Sequence, residues 1–404
     1  MRKSTCWVKQ RQLSRVPWFI EDSGRCMRNY DYQSQREVLA NLCQQLKGIS
    51  NAADEVQAAR ERVNLLGQAD VFRWFIPQRF GGFEWSTNEI LRGYLELSAA
   101  CLSTAFVLTQ RAAAVSRILA SGNDVLKERL LPRLVTGEWF VTVGISHLTT
   151  SHRHLQKPVL LASKSTTGYV LNGFSPWVTG ISFADQIVVG ASCDSISADE
   201  AGVDSANDEG RYRNEILFGL PTDLPGIVRP ATPRLVALSD SCTGPIHFED
   251  VLVDQQFILD GPRERIMSQG SGGGTGGLQT SVLALGLSTA AISYLRQESL
   301  NRAGIMEPLE SFQHQLTSTK DKLFDLADGK QQWSNADVRA EANSLVLRST
   351  QAALMVAKGA GFCEQHPVGR WCQQALFFLV WSCPEPVTAS NLCELAQIEW
   401  VKNQ

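Results

Sequence analysis

Apolar residues recur at helical spacing from Tyr32 to about Gly137. From Trp139 to about Val253 they fall instead into short runs bounded by turn residues, and after a glycine tract the helical spacing returns. In the first region QSQREVLANLCQQL places Val38, Leu39, Leu42, Cys43 and Leu46 on one face, which predicts an amphipathic helix. Ser86-Thr87-Asn88-Glu89 has the spacing of a capping box, in which Ser86 and Glu89 satisfy each other's free amides. It predicts a helix carrying Ile90, Leu91, Tyr94, Leu95 and Leu97. Thr104 to Leu119 is apolar almost all round, the pattern of a central helix. Gly137 is a natural stop after LKERLLPRLVTGEW.

The short runs are WFVTVGIS, KPVLLAS, GYVLNG, ADQIVVGAS, EILFGL, GIVRP, RLVALS and GPIHFEDVLV. No helical period separates them, so an antiparallel sandwich or barrel is expected. Acidic residues Asp199–Glu215 interrupt the runs and read as a surface loop. GSGGGTGG (270–277) lacks the Gly-Lys-Ser/Thr of a phosphate loop and reads as a linker. Helices are then predicted over Leu278–Arg302, Leu309–Gly329, Ala336–Lys358, Pro367–Trp381 and Val387–Val401. The expected class is α+β: an extension (1–31), an N-terminal helical domain (32–138), a β domain (139–262), a Gly-rich linker (263–277) and a C-terminal bundle of four to five helices (278–404).

Composition narrows the function classes. The 404 residues are 44% hydrophobic and 20% charged, with a formal charge of −3. That balance gives no electrostatic reason to expect nucleic acid or an anionic membrane as partner. The longest apolar run, Ala375–Trp381, is far below the ~20 residues of a membrane span. Ten cysteines lie singly, with no C-x-x-C, which suits a reducing compartment and a cytoplasmic, soluble protein. His147, His152 and His154 lack a cysteine or carboxylate at ligand spacing, so they read as a polar loop, and no metal is expected. The N-terminus carries five basic residues before Glu21, a weak likeness to a transit peptide; an extension, or a true start at Met27, is preferred.

Three stretches carry a family likeness. FRWFIPQRFGGFEWSTNEILRGYLEL, with Pro77, Gly81 and Gly82 as a "P-x-x-x-G-G" turn, resembles the N-terminal helical segment of acyl-CoA dehydrogenases. LPRLVTGEWFVTVGIS followed by GYVLNGFSPWVTGISFADQIVV resembles that family's β-domain core, and LGLSTAAISYLRQESLNR the first helix of its C-terminal bundle. The likeness runs from about residue 35 to 398 and implies helices, β-barrel, helices. It also implies FAD, an acyl-CoA substrate and a homodimer or homotetramer. By resemblance, Trp177 and Thr179 of the "W-x-T" strand meet the isoalloxazine, an indole packing on the ring and a hydroxyl bonding its edge. Ile145 and Ser146 meet the other flavin edge. Arg302 corresponds to an arginine on the pyrophosphate of the neighbouring subunit's FAD, and Gln313 to a glutamine near the adenosine.

The departures concern chemistry. "R-x-x-F-G" reads Arg302-Ala303-Gly304-Ile305-Met306, and "Q-x-x-G-G" reads Met355-Val356-Ala357-Lys358-Gly359. The "T-E-P-x-x-G-S" loop reads Ser146-His147-Leu148-Thr149-Thr150-Ser151-His152. In FFLVWSCPEP the family's tyrosine falls on Trp381 and its catalytic glutamate on Ser382, whose hydroxyl cannot serve as the α-proton acceptor without a partner base. In some branches the glutamate sits on the first bundle helix; the matching residue here is Gln279. Glu385, between Pro384 and Pro386, is a weaker candidate base and reads as a first-turn acid. The reading is therefore an acyl-CoA dehydrogenase-like FAD oxidoreductase acting on CH–CH groups of acyl thioesters. The alternatives are a flavin monooxygenase of the same fold, which needs no glutamate there, and a non-catalytic relative.

Overall fold

The computed structural model describes residues 30–49, 54–149, 158–193, 214–268 and 277–398. The extension up to residue 29, His152, His154, the acidic loop up to residue 213 and the glycine tract 269–276 lie outside these. In the first third, α1 (Tyr32–Gly48), α2 (Glu55–Gln68), α3 (Thr87–Ala100), α4 (Leu102–Ala120) and α5 (Asp124–Val135) pack together. Local chemistry sets their starts: Asp31 accepts the Ser34 N–H at 2.9 Å, and Ser86 and Glu89 form the expected capping box. Before α3 the chain turns back sharply. Gly81 has φ +82°, and a Cβ on Gly82 would lie 1.7 Å from the Ile76 carbonyl oxygen, so no larger residue fits there.

The middle third is an eight-stranded sheet: β1 (Val141–Gly144), β2 (Leu160–Lys164), β3 (Gly168–Val178), β4 (Gln186–Cys193), β5 (Asn214–Pro221), β6 (Ile227–Val228), β7 (Gly244–Asp254) and β8 (Ile258–Glu264). Its order is β6-β7-β3-β2-β4-β5-β8, with β1 also on β4. The sheet is mostly antiparallel, as expected, with β1 and β2 running parallel to β4. A short helix, α6 (Ser146–Thr149), follows β1. Strand β4 is buried on nearly every residue, as a strand with neighbours on both edges and cover on both faces must be.

Five helices complete the chain: α7 (Leu278–Ser299), α8 (Met306–Ala327), α9 (Asn335–Ala357), α10 (Pro367–Leu376) and α11 (Glu385–Leu395). The apolar surface of α7 is taken up by packing against other helices. Gly286 lets α7 approach α3; a Cβ there would sit 1.8 Å from the Ser98 hydroxyl. One core joins the N- and C-terminal helices, a second fills the sheet, and a third lies between α4, α5 and the sheet. A buried polar knot ties the parts: Arg62 on α2 pairs with Asp240 at 2.8 Å, Ser103 on α4 donates to Asp240 at 2.6 Å, and Gln374 on α10 donates to Ser103 at 3.5 Å. Asp240 belongs to the segment between β6 and β7, so the knot fixes that segment against both sets of helices.

Candidate active site

Where these parts meet, the chain leaves a cavity of about 1140 Å³, larger than the ~300–1,000 Å³ typical of a small-molecule pocket. It has a wall from the sheet, a wall from α3 and α4 with the turn before them, and a corner from the C-terminal helices.

The sheet wall carries Ile145, Ser146, Trp177 and Thr179. A break in the β3–β7 register between Ser175 and Val178 re-aims the strand end. Ser175, Pro176 and Val178 are covered while Trp177 is 51% exposed on the cavity. Thr179 is held on two sides. Thr142 Oγ1 donates to its carbonyl at 2.6 Å, and Thr243 Oγ1, itself bonded to Ser241, donates to its hydroxyl at 3.0 Å. With that oxygen already accepting, the Thr179 proton is left for a ligand. Next to Ser146, His147 turns inward and its Nε2–H donates to the Gly190 carbonyl at 2.8 Å. Among the described residues no three His, Cys, Asp or Glu side chains gather as a metal site would require.

The helical wall is aromatic near the turn. Trp74 and Trp85 stack at 4.3 Å and 15°, with Phe75 and Tyr94 beside them. Along α4 it becomes mixed, through Thr109, Gln110, Ser116 and Arg117. The corner is built from Phe377, Trp381 and Ser382, with Gln279 of α7 facing the same space. Phe377 and Trp381 stack at 5.3 Å and 14°, and Phe106 of α4 meets both edge-on at 4.9 Å.

The corner corrects one boundary and explains it. The helix expected to reach Trp381 ends as α10 at Leu376 and tightens into a 3₁₀ turn over Phe377–Leu379. The freed carbonyls are taken by side chains of α9: Arg339 Nη2 donates to Trp381 O at 2.9 Å and Phe378 O at 3.4 Å, and Asn343 donates to Phe378 O at 3.1 Å. Ser382 follows with φ +44°, an unfavourable region for a residue with a Cβ. Burial pushes the Arg339 guanidinium down to about 10, so it stays charged at neutral pH while bonding only carbonyls.

Of the residues singled out from sequence, Ile145, Ser146, Trp177, Thr179, Ser382 and Gln279 share this cavity. Glu385 does not line it and sits exposed in the first turn of α11. Arg302 and Gln313 do not line it either. Arg302 donates to Val356 O at 2.6 Å and pairs with Glu298 at 3.3 Å; Gln313 accepts from Arg296 at 3.1 Å.

Residues 33–138 match the family model described as acyl-CoA dehydrogenase, N-terminal domain. Mitochondrial isovaleryl-CoA dehydrogenase of Pongo abelii is 24% identical over 399 residues, covering 92% of this chain and 89% of that one. Over residues 33–138 the chain thus matches the acyl-CoA dehydrogenase N-terminal domain, and along most of its length it is similar to acyl-CoA dehydrogenases. Among solved structures, butyryl-CoA dehydrogenase of Megasphaera elsdenii superposes with a TM-score of 0.73 at 18% identity, covering 90% of this chain and 98% of that one. Dibenzothiophene monooxygenase of Paenibacillus sp. A11-2 gives 0.70 at 15% identity over 90% and 97%. Those two share the fold of this chain.

Sequence reading did not single out Arg117, Arg339 or the facing tryptophans Trp74 and Trp85. A legible signal existed for Arg117: arginine is costly in a helix apolar almost all round, so one there needs a partner or a ligand.

Proposed function

We propose that this chain belongs to the acyl-CoA dehydrogenase family and is a FAD flavoprotein that oxidises an acyl thioester at a CH–CH bond. The observation that carries the reading is the cavity, with an outward indole and an uncommitted hydroxyl proton on one wall and an aromatic corner opposite. These residues fit a flavin: Trp177 offers a flat apolar face, Thr179 a donor, and the volume accommodates a tricyclic ring with a substrate above it. FAD, when bound, supplies a hydride acceptor.

The chain's own residues then divide the remaining work. Trp177 packs on the ring and Thr179 bonds its polar edge, with Ser146 beside them on the same wall. Phe377 and Trp381 hold an acyl chain away from water and set its distance from the sheet wall. Ser382 and Gln279 are neutral at all working pH values, so they orient by hydrogen bonding and take no proton. Among the described lining residues the one carboxylate is Glu84, whose Oε2 accepts the Gln78 N–H at 3.3 Å. It is the group to examine for the α-proton step. A homodimer or homotetramer is proposed from the family resemblance, and a cytoplasmic location from the singly placed cysteines.

Anaerobic titration of the FAD-loaded protein with acyl-CoA tests the reading, with bleaching of flavin absorbance as the expected result. A second reading, a monooxygenase of the same fold, is favoured by one feature: both positions at which the family resemblance puts a glutamate are uncharged here. It expects no bleaching by acyl-CoA, but substrate-dependent oxygen uptake once the flavin is reduced by other means. A protein that binds no flavin would leave only a non-catalytic role.

A further inference from the structure

Three arginines of this chain are buried without a carboxylate partner among the described residues: Arg111, Arg117 and Arg339. Two of them are explained by the chain itself. Arg339 holds the corner carbonyls, and Arg111 bonds Leu134 O and lies over the Phe72 ring at 3.8 Å. Their unbonded nitrogens are sealed from solvent.

Arg117 differs. It is 8% exposed, lines the cavity, and makes one hydrogen bond, from Nη1 to the Ala113 carbonyl of its own helix at 2.8 Å. Its Nε and Nη2 have no partner among the described residues, yet they are not among the sealed atoms, so they open on the cavity. Burial is the one cause of its lowered pKa, about 10, and it remains charged at neutral pH. It is also the one cation in the described lining; Glu84, the one carboxylate there, forms no ion pair with it. A fixed positive charge facing a low-dielectric cavity, with two donors unspent, is costly to keep unless a ligand neutralises it.

We propose that Arg117 is the docking point for an oxyanion of the bound ligand, a carboxylate or phosphate gripped by Nε and Nη2. Ser116, on the same cavity, offers a hydroxyl that can complete the shell. The proposal deepens the functional reading above and rests on that cavity being the ligand site. It makes one anionic group of the cofactor, of the coenzyme A moiety or of the acyl chain part of what the site selects.

Calorimetric titration of wild type, Arg117→Gln and Arg117→Lys against three matched pairs tests it. FAD against riboflavin probes the cofactor phosphates. On flavin-loaded protein, pentanoyl-CoA against pentanoyl-pantetheine probes the coenzyme phosphates, and glutaryl-CoA against pentanoyl-CoA a terminal carboxylate. In one pair, Arg117→Gln is expected to weaken the anionic member by about tenfold or more while the neutral member changes by less than about twofold. Arg117→Lys keeps the charge without the fork and loses less of that selectivity, which reads out the site even if the glutamine variant fails to fold. Equal changes within all three pairs, or no change in any, would overturn the assignment of Arg117 and leave the flavoprotein reading intact. A wild-type protein that binds neither flavin nor thioester would overturn the functional reading itself, and this inference with it.

Discussion

The two faces of the cavity are held by opposite means. On the sheet side, hydroxyl groups hold one another: Ser241, Thr243 and Thr142 converge on Thr179, and every group is neutral. At the bundle corner a buried cation, Arg339, and an amide, Asn343, hold bare carbonyls of a tightened turn. The sheet side presents a donor to a ligand. The corner presents aromatic surface and an uncharged Ser382. On the proposed reading, the residues that would position a ligand are present while neither position matched to the family's glutamate carries a carboxylate. Positioning and proton transfer are separable features of one site.

Substitutions that break each face separate the two roles. Asp240→Asn attacks the knot behind the sheet-side segment and leaves the buried Arg62 charge without its counter-ion; a loss of about 3–5 kcal/mol is expected in denaturant unfolding. Arg339→Met strips the Trp381 carbonyl of its donor and leaves Phe378 O to Asn343 alone, with about 2–3 kcal/mol lost and acyl-CoA affinity falling more than FAD affinity. If both affinities fall alike, the corner is no separate unit. Ser382→Glu should raise the rate of flavin bleaching by acyl-CoA at least about tenfold, within the usual range for one positioned base. An unchanged rate would show that the corner no longer points at the reacting carbon. Thr179→Val removes the free donor and leaves Thr243 without its acceptor, weakening FAD by about fivefold at ~1 kcal/mol, with a shift of the flavin spectrum.

Much of this was readable from the chain. The capping box at Ser86 and Glu89, the glycine turn at Gly81–Gly82 and the change of period near Trp139 depend on neighbours in sequence, where local rules apply. The shared placement of Ile145, Ser146, Trp177, Thr179 and Ser382 followed from resemblance rather than from period. What escaped was non-local. The apolar run to Trp381 looks like unbroken helix, because its early end is decided by Arg339 and Asn343 some 40 residues away. The parallel pairing of β1 and β2 with β4 likewise depends on crossovers that no alternation pattern encodes. Arg117 has the right residue type in the wrong kind of helix, but its direction into the cavity is a tertiary fact.

The central claim is that the sheet face receives an isoalloxazine ring on Trp177, and FAD titration of the purified chain, followed by quenching of flavin fluorescence, tests it most directly. The account predicts saturable binding by wild type and a loss of about tenfold in affinity for Trp177→Ala, the scale of one aromatic stack, with stability nearly unchanged because that indole is half exposed. Saturable binding that is indifferent to Trp177→Ala, or no binding by wild type, would contradict it.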